Sequence, residues 1–326
     1  MPRPLVCIVT PALAGANNGN WQTAKRWSQM LRTHYRVELL DRWQGEPSDV
    51  LVALHARRSS ESIARWSRDK PRSPLAVVLT GTDLYRDIHV DPGAQRSLEL
   101  ADRLIVLHEL AVADLPVQHQ AKAVACLQST STRLELVKTR QHLRCIMVGH
   151  LREEKAPQTY FAAARKLVHR SDILFDHIGE ALDPTLGEKA RKLAHECPRY
   201  RWLGALPHET TRGRIQSAHV LVHTSRIEGG AHVVMEAICS GTPVLATRIA
   251  GNVGMLGVDY QGYLEPADGD GLAILIERCR DQPDFLRELR DQCAARAPLF
   301  EPARERTKLL AVLRDLLGTD TSARCQ

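Results

Sequence analysis

Two glutamates eight positions apart, Glu228 and Glu236, have the spacing in this sequence that most clearly suggests chemistry. The stretch that contains them reads SRIEGGAHVVMEAICSGTP, and Gly229 and Gly230 directly follow the first glutamate. A helix that begins near Ala231 would present its first N–H groups to a phosphate, and the glycines carry no side chain to block that approach. The stretch is therefore either an ordinary loop-to-helix junction or a site for a charged, hydroxyl-rich ligand.

Each carboxylate has a plausible partner in such a ligand. Glu228, just before the helix, could accept hydrogen bonds from sugar hydroxyls, and Glu236, inside the helix, could bind a ribose diol with both of its oxygens. For an isolated pair at this spacing, however, an exposed helix glutamate is the commoner explanation. The pair alone leaves both interpretations open.

A second candidate phosphate site is the stretch VGHLREEKAP at 148–157. Gly149 ends a predicted strand, and Lys155 lies six residues later, just before a predicted helix. A lysine beside a helix N-terminus can bind a diphosphate through its charge and the free backbone N–H groups. Glu153 and Glu154 beside it fit a solvated turn equally well.

The loop after the first predicted strand, AGANNGNWQTAKRW at 14–27, lacks the GxGxxG pattern of a dinucleotide site. A nicotinamide-dependent dehydrogenase is therefore disfavoured. Asn18 and Gly19 tolerate positive φ and would let the backbone approach a ligand at this strand end. A tight turn before a helix is the simpler alternative.

Composition excludes several classes of protein. Aromatic residues are only 5% of the chain, which argues against a stacking platform for nucleic acid. The eight cysteines are scattered singly without a CxxC pair, which predicts neither a zinc site nor a disulfide framework and fits a reducing compartment. No signal peptide and no run of about 18 apolar residues is present. We expect a cytoplasmic protein.

The net charge of +6 is modest, and its densest part is the basic stretch between Arg57 and Arg72. A solvated helix face explains such a stretch most simply. The alternative is a field that attracts an anionic substrate or a membrane surface.

Short β-branched runs alternate with helical patterns along the whole chain, and the alternation restarts near residue 144. This predicts an α/β protein with two doubly wound, Rossmann-like domains that face each other across a cleft. We expect residues 1–138, with a C-terminal helix at about 303–326, to form the first domain. Residues 139–302 are expected to form the second domain.

Together, these motifs resemble the GT-B glycosyltransferases of family 4. Glu228 and Glu236 match the E-x7-E signature of that family, GHLREEK is similar to its G-R-L-x-x-x-K phosphate motif, and the first-strand loop matches at Asn18 and Gly19. The resemblance implies a transferase that needs no metal or other cofactor. It also implies that the domain of residues 1–138 binds the acceptor and that the domain of residues 139–302 binds a UDP-sugar donor. It implies catalytic roles for Lys155, Glu228 and His150, and donor-binding roles for Asn18, Gly19, Gly149, Gly229, Gly230, Ala231, His232 and Glu236.

The sequence departs from the family pattern at two positions. His150 stands where the phosphate motif has arginine, and Thr80 in LTGTDLYRD stands where a first-domain histidine usually precedes Gly-x-Asp. The missing histidine indicates either a non-catalytic scaffold or an acceptor that needs little basic assistance.

A finer resemblance favours the second explanation. The stretches NNGNWQTAKRW, LTGTDLYRDI, EGGAHVVMEAI and GNVGMLGVDYQGYL are similar to the selenosugar synthases of selenoneine biosynthesis. That subgroup transfers a sugar from UDP-N-acetylglucosamine or UDP-glucose to selenophosphate, an anion that needs cationic positioning rather than deprotonation. We expect the acceptor to lie near Thr80 and a cation chosen from Lys25, Arg26, Arg57, Arg58 and Arg86, with Lys25 and Arg86 ranked first.

Two other functions are compatible with the same motifs. One is a conventional family 4 transferase that acts on a glycan or lipid hydroxyl, with the basic stretch 57–72 serving an anionic lipid. The other is a non-catalytic scaffold that binds a sugar nucleotide and regulates a partner. The selenophosphate interpretation predicts neither nucleic-acid binding nor stable membrane association.

Overall fold

A computed structural model of the chain describes residues 3–11 and 19–318. The chain divides into two compact units, the first formed by Met1–Ser129 with Pro302–Gln326 and the second by Thr130–Glu301. The boundary thus lies before the predicted position of 138. The reason is that segment 130–138 bonds to the second unit, with Arg133 N donating to Cys239 O at 2.8 Å and Lys138 Nζ to Thr242 Oγ1 at 3.1 Å.

The first unit contains one six-stranded sheet flanked by helices. Its strands are β1 (Leu5–Val9), β2 (Arg36–Leu40), β3 (Val50–Leu54), β4 (Leu75–Leu79), β5 (Arg103–Val106) and β6 (Ala123–Ala125). Its helices before residue 130 are α1 (Gly19–Leu31), α2 (Ser60–Asp69), α3 (Ile88–Val90), α4 (Pro92–Leu100) and α5 (Val117–Gln120).

Every strand pair in this sheet is parallel, in the order β2-β1-β3-β4-β5-β6. The chain winds outward in both directions from the adjacent strands β1 and β3. This adjacency is the switch point where open parallel sheets bind ligands, outside the carboxyl ends of the strands. His55 follows β3 and Thr80 follows β4, so both lie at this edge.

Both faces of the first sheet are buried, which explains why its central strands read as unbroken apolar runs. Alternate side chains divide between the faces. One face carries Cys7, Val9, Leu51, Ala53, Leu75, Val77 and Leu79, packed with Ile63 and Trp66 of α2. The other carries Val6, Ile8, Val50, Val52, Leu54, Ala76 and Val78, packed with Trp27 and Leu31 of α1.

The second unit contains a second six-stranded parallel sheet. Its strands are β7 (Leu143–Val148), β8 (Ile173–Ile178), β9 (Tyr200–Trp202), β10 (Val220–His223), β11 (Val244–Thr247) and β12 (Tyr263–Leu264). Its helices are α6 (Pro157–Lys166), α7 (Pro184–Glu196), α8 (His208–Ser217), α9 (His232–Ile238), α10 (Ala250–Leu256), α11 (Gly269–Asp281) and α12 (Pro283–Arg296).

The strand order of the second sheet is β12-β11-β10-β7-β8-β9, the 3-2-1-4-5-6 winding of dinucleotide-binding folds when read from β9. The switch point lies between β7 and β10, which pair directly through Cys145–Val220 and Met147–Val222. Residues that follow these two strands therefore converge although more than 70 positions separate them. Lys155 follows β7 and Glu228 follows β10.

The last described helix, α13 (Pro302–Leu316), belongs to the first unit. Leu309 and Leu313 are fully buried in the same core as Trp27 of α1. Glu305 is also buried, and its carboxylate accepts hydrogen bonds from Arg26 Nε at 2.8 Å, Trp27 Nε1 at 2.6 Å and Ser129 N at 2.9 Å. This carboxylate joins α13, α1 and the chain at residue 129.

The predicted fold class, two doubly wound Rossmann-like domains in an α/β protein, is confirmed. Strands and helices alternate along both units, as predicted. Strands β6 and β12 have only three and two residues, too few for a periodic pattern. Helix α4 begins at a start signal formed by Asp91 and Pro92, with the Asp91 side chain accepting from Ala94 N at 2.8 Å.

Candidate functional site

The turn after β7 is built on close backbone contacts. Gly149 N donates to Ile178 O at 2.9 Å, and a Cβ on Gly179 would lie only 1.9 Å from Gly149 O. No residue with a side chain fits at Gly179, whose φ of +155° also favours glycine. The methylene groups of Lys155 lie over Gly149, where an added Cβ would meet Lys155 Cδ at 3.3 Å. The two predicted residues of this motif are therefore in contact.

The backbone around Lys155 is fixed from the neighbouring strand β10. Thr224 Oγ1 donates to Lys155 O at 2.9 Å, and Arg226 N donates to Glu154 O at 2.8 Å. Ala156 then adopts left-handed φ of +44°, an uncommon conformation for alanine, directly before Pro157 starts α6. The structure thus holds Lys155 at the switch point between β7 and β10.

Lys155 and Glu228 form an ion pair, in which Nζ contacts Oε1. Their side chains are 16% and 13% exposed, so the pair is largely shielded from water. His223 Nε2 lies 3.4 Å from the same Oε1. Burial alone would raise the pKa of Glu228, but the Lys155 charge and the His223 contact outweigh it and hold that pKa well below its usual 4.5. Glu228 is therefore an anion at neutral pH.

The backbone around Glu228 packs closely against the end of β11 and the start of α10. A Cβ on Gly251, in the first turn of α10, would lie 2.0 Å from Glu228 O, so only glycine allows this approach. Thr247 Oγ1 donates to Ser225 O at 2.5 Å, and buried Asn252 donates to Thr247 O at 2.9 Å. These contacts fix the backbone on which the carboxylate stands.

The residues between the two glutamates begin helix α9 as the sequence predicted. Gly229 is buried, Gly230 is half-buried, Ala231 is the N-cap and His232 is the first helical residue. No side chain caps this N-terminus.

Glu236 lies in α9 with a side chain only 5% exposed, in contrast to an ordinary surface glutamate. Its Oε1 is 2.7 Å from His208 Nε2, at the first turn of α8. His208 is 41% exposed, so this contact lies at the protein surface. The buried carboxylate therefore has one protein partner and a second oxygen for which the structure gives no hydrogen bond among the described residues.

His150 has a defined hydrogen-bonding state. Glu180 N donates to His150 Nδ1 at 3.1 Å, so that nitrogen carries no proton. Burial, together with the charge of Arg152, lowers the pKa of His150 below its usual 6.5. At neutral pH this residue is an uncharged donor through Nε2, and it does not reproduce the positive charge of the arginine it replaces.

In the first unit, the loop after β4 is organised by buried Asp83. Its carboxylate accepts from Thr80 N at 2.8 Å, Gly81 N at 2.9 Å and Ala56 N at 3.0 Å. Thr80 Oγ1 also lies 3.4 Å from the same carboxylate. Thr80 therefore shapes the loop rather than presenting a titratable group.

A histidine does lie at this edge, but it comes from β3. His55 Nδ1 accepts from Arg58 N at 3.4 Å, so Nε2 carries the proton and donates to Thr82 Oγ1 at 3.2 Å. The residue is 3% exposed, has φ of +73°, and its pKa is lowered by burial. Neither ring nitrogen has a lone pair free to take a proton from an acceptor.

Two of the predicted acceptor cations meet at one carboxylate. Arg57 Nε lies 2.9 Å and Arg86 Nε 3.1 Å from the oxygens of buried Asp87, and both guanidinium groups are partly exposed. Arg58 and Lys25 are exposed, the latter on α1.

One predicted acceptor cation does not join this cluster. Arg26 pairs instead with the buried carboxylate of Glu305, which gives it a structural role. Asn18 lies outside the described residues, and Gly19 is the first residue of α1.

Sequence reasoning missed the histidines beneath and beside the site, His177, His208 and His223. His223 ends the apolar strand β10, and His177 lies beside Asp176 in the otherwise apolar strand β8, positions that usually indicate a satisfied core histidine. His208 follows Pro207 at a helix start and carried no distinguishing signal. His208 is identified only by its contact with Glu236, and His223 only by its contact with Glu228.

Residues 3–11 and 19–318 contain no cluster of three or more His, Cys, Asp or Glu side chains arranged to hold a metal ion. Over the same ranges, no helix is long and apolar enough to cross a membrane.

Comparison with known proteins places the candidate site within one family. The model of "Glycosyl transferases group 1" matches residues 135–299, which include Gly149, Lys155, Glu228 and Glu236. A sucrose synthase of Acidithiobacillus caldus is 28% identical over 135 residues. That alignment covers 36% of this chain and only 17% of the sucrose synthase.

Solved structures share the fold at low sequence identity. Sucrose-phosphate synthase from Thermosynechococcus elongatus superposes with a TM-score of 0.79 at 16% identity, covering 98% of this chain and 100% of that one. Anabaena HepE, solved with UDP and glucose, gives a TM-score of 0.76 at 14% identity, covering 96% and 100%. These likenesses confirm the GT-B fold. Because the family model spans half of the sequence, including both residues of the Lys155–Glu228 pair, the chain belongs to the group 1 glycosyl transferases.

Proposed function

We propose that this protein transfers a sugar from a UDP-sugar, UDP-N-acetylglucosamine or UDP-glucose, to selenophosphate and forms a carbon–selenium bond. The main observation that supports a UDP-sugar donor is the Lys155–Glu228 ion pair at the switch point between β7 and β10. A cation and an anion held there match the diphosphate and the hydroxyls of a sugar nucleotide.

Each donor-site residue has a role that follows from its surroundings. Lys155, beside the glycine turn, would stabilise the charge that develops on the diphosphate as it leaves. His150 would add an uncharged hydrogen bond. Glu228 would accept bonds from the sugar hydroxyls, and Glu236, with one oxygen on His208, would bind the ribose with the other. The complexes of Anabaena HepE with UDP and with UDP-glucose support the choice of a uridine nucleotide.

The choice of selenophosphate as acceptor is supported by the residues at the carboxyl ends of strands β3 and β4 in the first unit. Thr80 is engaged by Asp83, and His55 has no free lone pair. A hydroxyl acceptor would need a base to remove its proton, whereas selenophosphate is an anion already able to attack. The guanidinium groups of Arg57 and Arg86 could hold its phosphoryl oxygens.

In the proposed step, selenium attacks the anomeric carbon with its own electron pair. The bond from that carbon to the diphosphate oxygen breaks, and UDP leaves with the bonding electrons. No proton must leave the nucleophile.

The test is to incubate the protein with selenophosphate and a panel of UDP-sugars, and to quantify UDP and selenium-bearing sugars by mass spectrometry. We expect one selenium-bearing sugar per UDP released, and loss of both products in Lys155→Ala. UDP release that requires a glycan or lipid hydroxyl would instead indicate a conventional transferase. Binding of liposomes in a flotation assay would support a lipid acceptor. Nucleotide binding without any turnover would indicate a scaffold.

A further inference from the structure

His177 is a fully buried histidine directly beneath the turn that contains Gly149 and Lys155. It lies in β8, which pairs with β7 in register so that His177 is opposite Met147. Its side chain is 0% exposed, and the rings of Tyr160 and Phe161 pack against it at centroid distances of 6.1 and 5.9 Å. A polar ring in such surroundings is retained only if its nitrogens are satisfied.

Both ring nitrogens have partners, and these partners determine the tautomer. Gly149 O lies 3.2 Å from Nε2, and a carbonyl can only accept, so Nε2 carries the proton. Nδ1 is then the acceptor for the Tyr200 hydroxyl at 3.0 Å. The hydrogen bonds run in one direction, from Tyr200 through His177 to Gly149.

Ionisation does not disturb this arrangement near neutral pH. Burial lowers the pKa of His177 to about 4, so the ring stays neutral. Burial likewise raises the pKa of Tyr200, so its hydroxyl keeps the proton that it donates.

The bond to Gly149 O affects Lys155 because the two residues are in contact. The lysine methylene groups lie on the Gly149 Cα, and Gly179 packs against the Gly149 carbonyl without intervening side-chain atoms. A rotation of the 149–150 peptide would therefore move the surface on which the lysine stem lies.

We propose that His177, fixed in one tautomer by Tyr200, is a positioning residue for the Gly149–Lys155 turn and hence for the diphosphate of the bound nucleotide. The identity of that ligand rests on the proposed function. His177 itself is buried and does not touch the ligand.

The test compares three variants of the full-length protein with UDP and uridine as probes. His177→Leu removes the hydrogen bond, whereas His177→Gln retains an N–H at the position of Nε2 and an acceptor for Tyr200. Tyr200→Phe removes only the hydroxyl that fixes the tautomer. Uridine has no phosphate, so a change confined to the turn should not alter its affinity.

For His177→Leu we expect the Kd of UDP to rise about tenfold, the loss typical of one hydrogen bond, while the Kd of uridine stays within about twofold. His177→Gln should stay within about threefold of wild type, and Tyr200→Phe should weaken UDP binding about threefold. Equal losses for UDP and uridine would show a general structural role and overturn the inference. If His177→Leu does not fold, His177→Gln and Tyr200→Phe decide, and unchanged UDP affinity in Tyr200→Phe overturns the inference.

The wild-type measurement separates this inference from the proposed function. Wild-type protein that binds UDP, with a His177→Leu variant that binds it equally well, contradicts the positioning role alone. Wild-type protein that binds no uridine nucleotide contradicts both.

Discussion

Lys155 and Glu228 contact each other through Nζ and Oε1, although 73 positions separate them in the chain. The pair sits where β7 and β10 adjoin, shielded from solvent and backed by Gly149, Gly251 and His223. The cation that we propose for the diphosphate and the anion that we propose for the sugar are thus held side by side. The Lys155 charge helps to keep the pKa of Glu228 low, so the carboxylate is ionised before a ligand binds.

Removing the cation tests the donor site first. Lys155→Ala should lower kcat/KM for the UDP-sugar, with an increase of about 2–4 kcal/mol in the activation free energy. The reason is that the negative charge on the leaving diphosphate loses one electrostatic donor. Steady-state kinetics measures this. Lys166→Ala is the matched control, since Lys166 pairs with Asp270 on an exposed surface of α6. An unchanged kcat/KM in a folded Lys155→Ala protein would exclude the role.

The state of His150 predicts a pH dependence for donor binding. Its pKa is lowered, so the neutral form persists as pH falls through 6.5 and is lost only at lower pH. Protonation would place a proton on Nδ1, facing Glu180 N. We expect UDP-sugar affinity to be level from pH 8 to 6.5 and to fall below that range, as calorimetry can show. His150→Asn should weaken binding and abolish this fall. Affinity that improves on acidification would mean that His150 binds as a cation.

Arg57 and Arg86, which both contact Asp87, form the proposed acceptor site, so changing them should affect the acceptor and not the donor. Arg57→Ala should raise the KM for selenophosphate about tenfold and leave the KM for the UDP-sugar within about twofold, because it removes a charge-assisted bond to the acceptor alone. Arg68→Ala, 70% exposed on α2, is the control. Parallel increases in both KM values would place Arg57 outside the acceptor site.

Glu305 predicts a stability effect remote from the chemistry. Glu305→Ala leaves Arg26 and the indole N–H of Trp27 without their buried acceptor, and should cost about 3–5 kcal/mol in the free energy of unfolding. Asp315→Ala, on the same helix, breaks the exposed pair with Arg103 and should cost less than about 1 kcal/mol. Urea denaturation compares the two, and equal costs would show that the Glu305 network adds no stability.

The sequence was sufficient for the two parallel sheets because their central strands are buried on both faces and read as apolar runs. It also singled out Gly149, Lys155, Glu228 and Glu236, because glycines and charges after apolar strands are conspicuous and because these stretches resemble the motifs of a known family.

The contacts among these residues could not be predicted, because they depend on β10 pairing with β7, a strand far earlier in the chain, as well as with its neighbour in sequence, β11. His177 and His223 could not be identified as site residues from the sequence, for a related reason. A lone histidine in a buried strand carries no signal until its partners, a carbonyl and a carboxylate, are located. The 130–138 segment was assigned by sequence position, whereas its hydrogen bonds determine the unit to which it belongs.

In the reaction that we propose, this protein joins an anomeric carbon to selenium. The most direct measurement is NMR of the products formed from selenophosphate and a UDP-sugar labelled with carbon-13 at the anomeric position. We predict a signal split by one-bond coupling to selenium-77, with UDP released in equal amount. An anomeric carbon bonded only to oxygen, as hydrolysis or transfer to a hydroxyl would give, contradicts the claim.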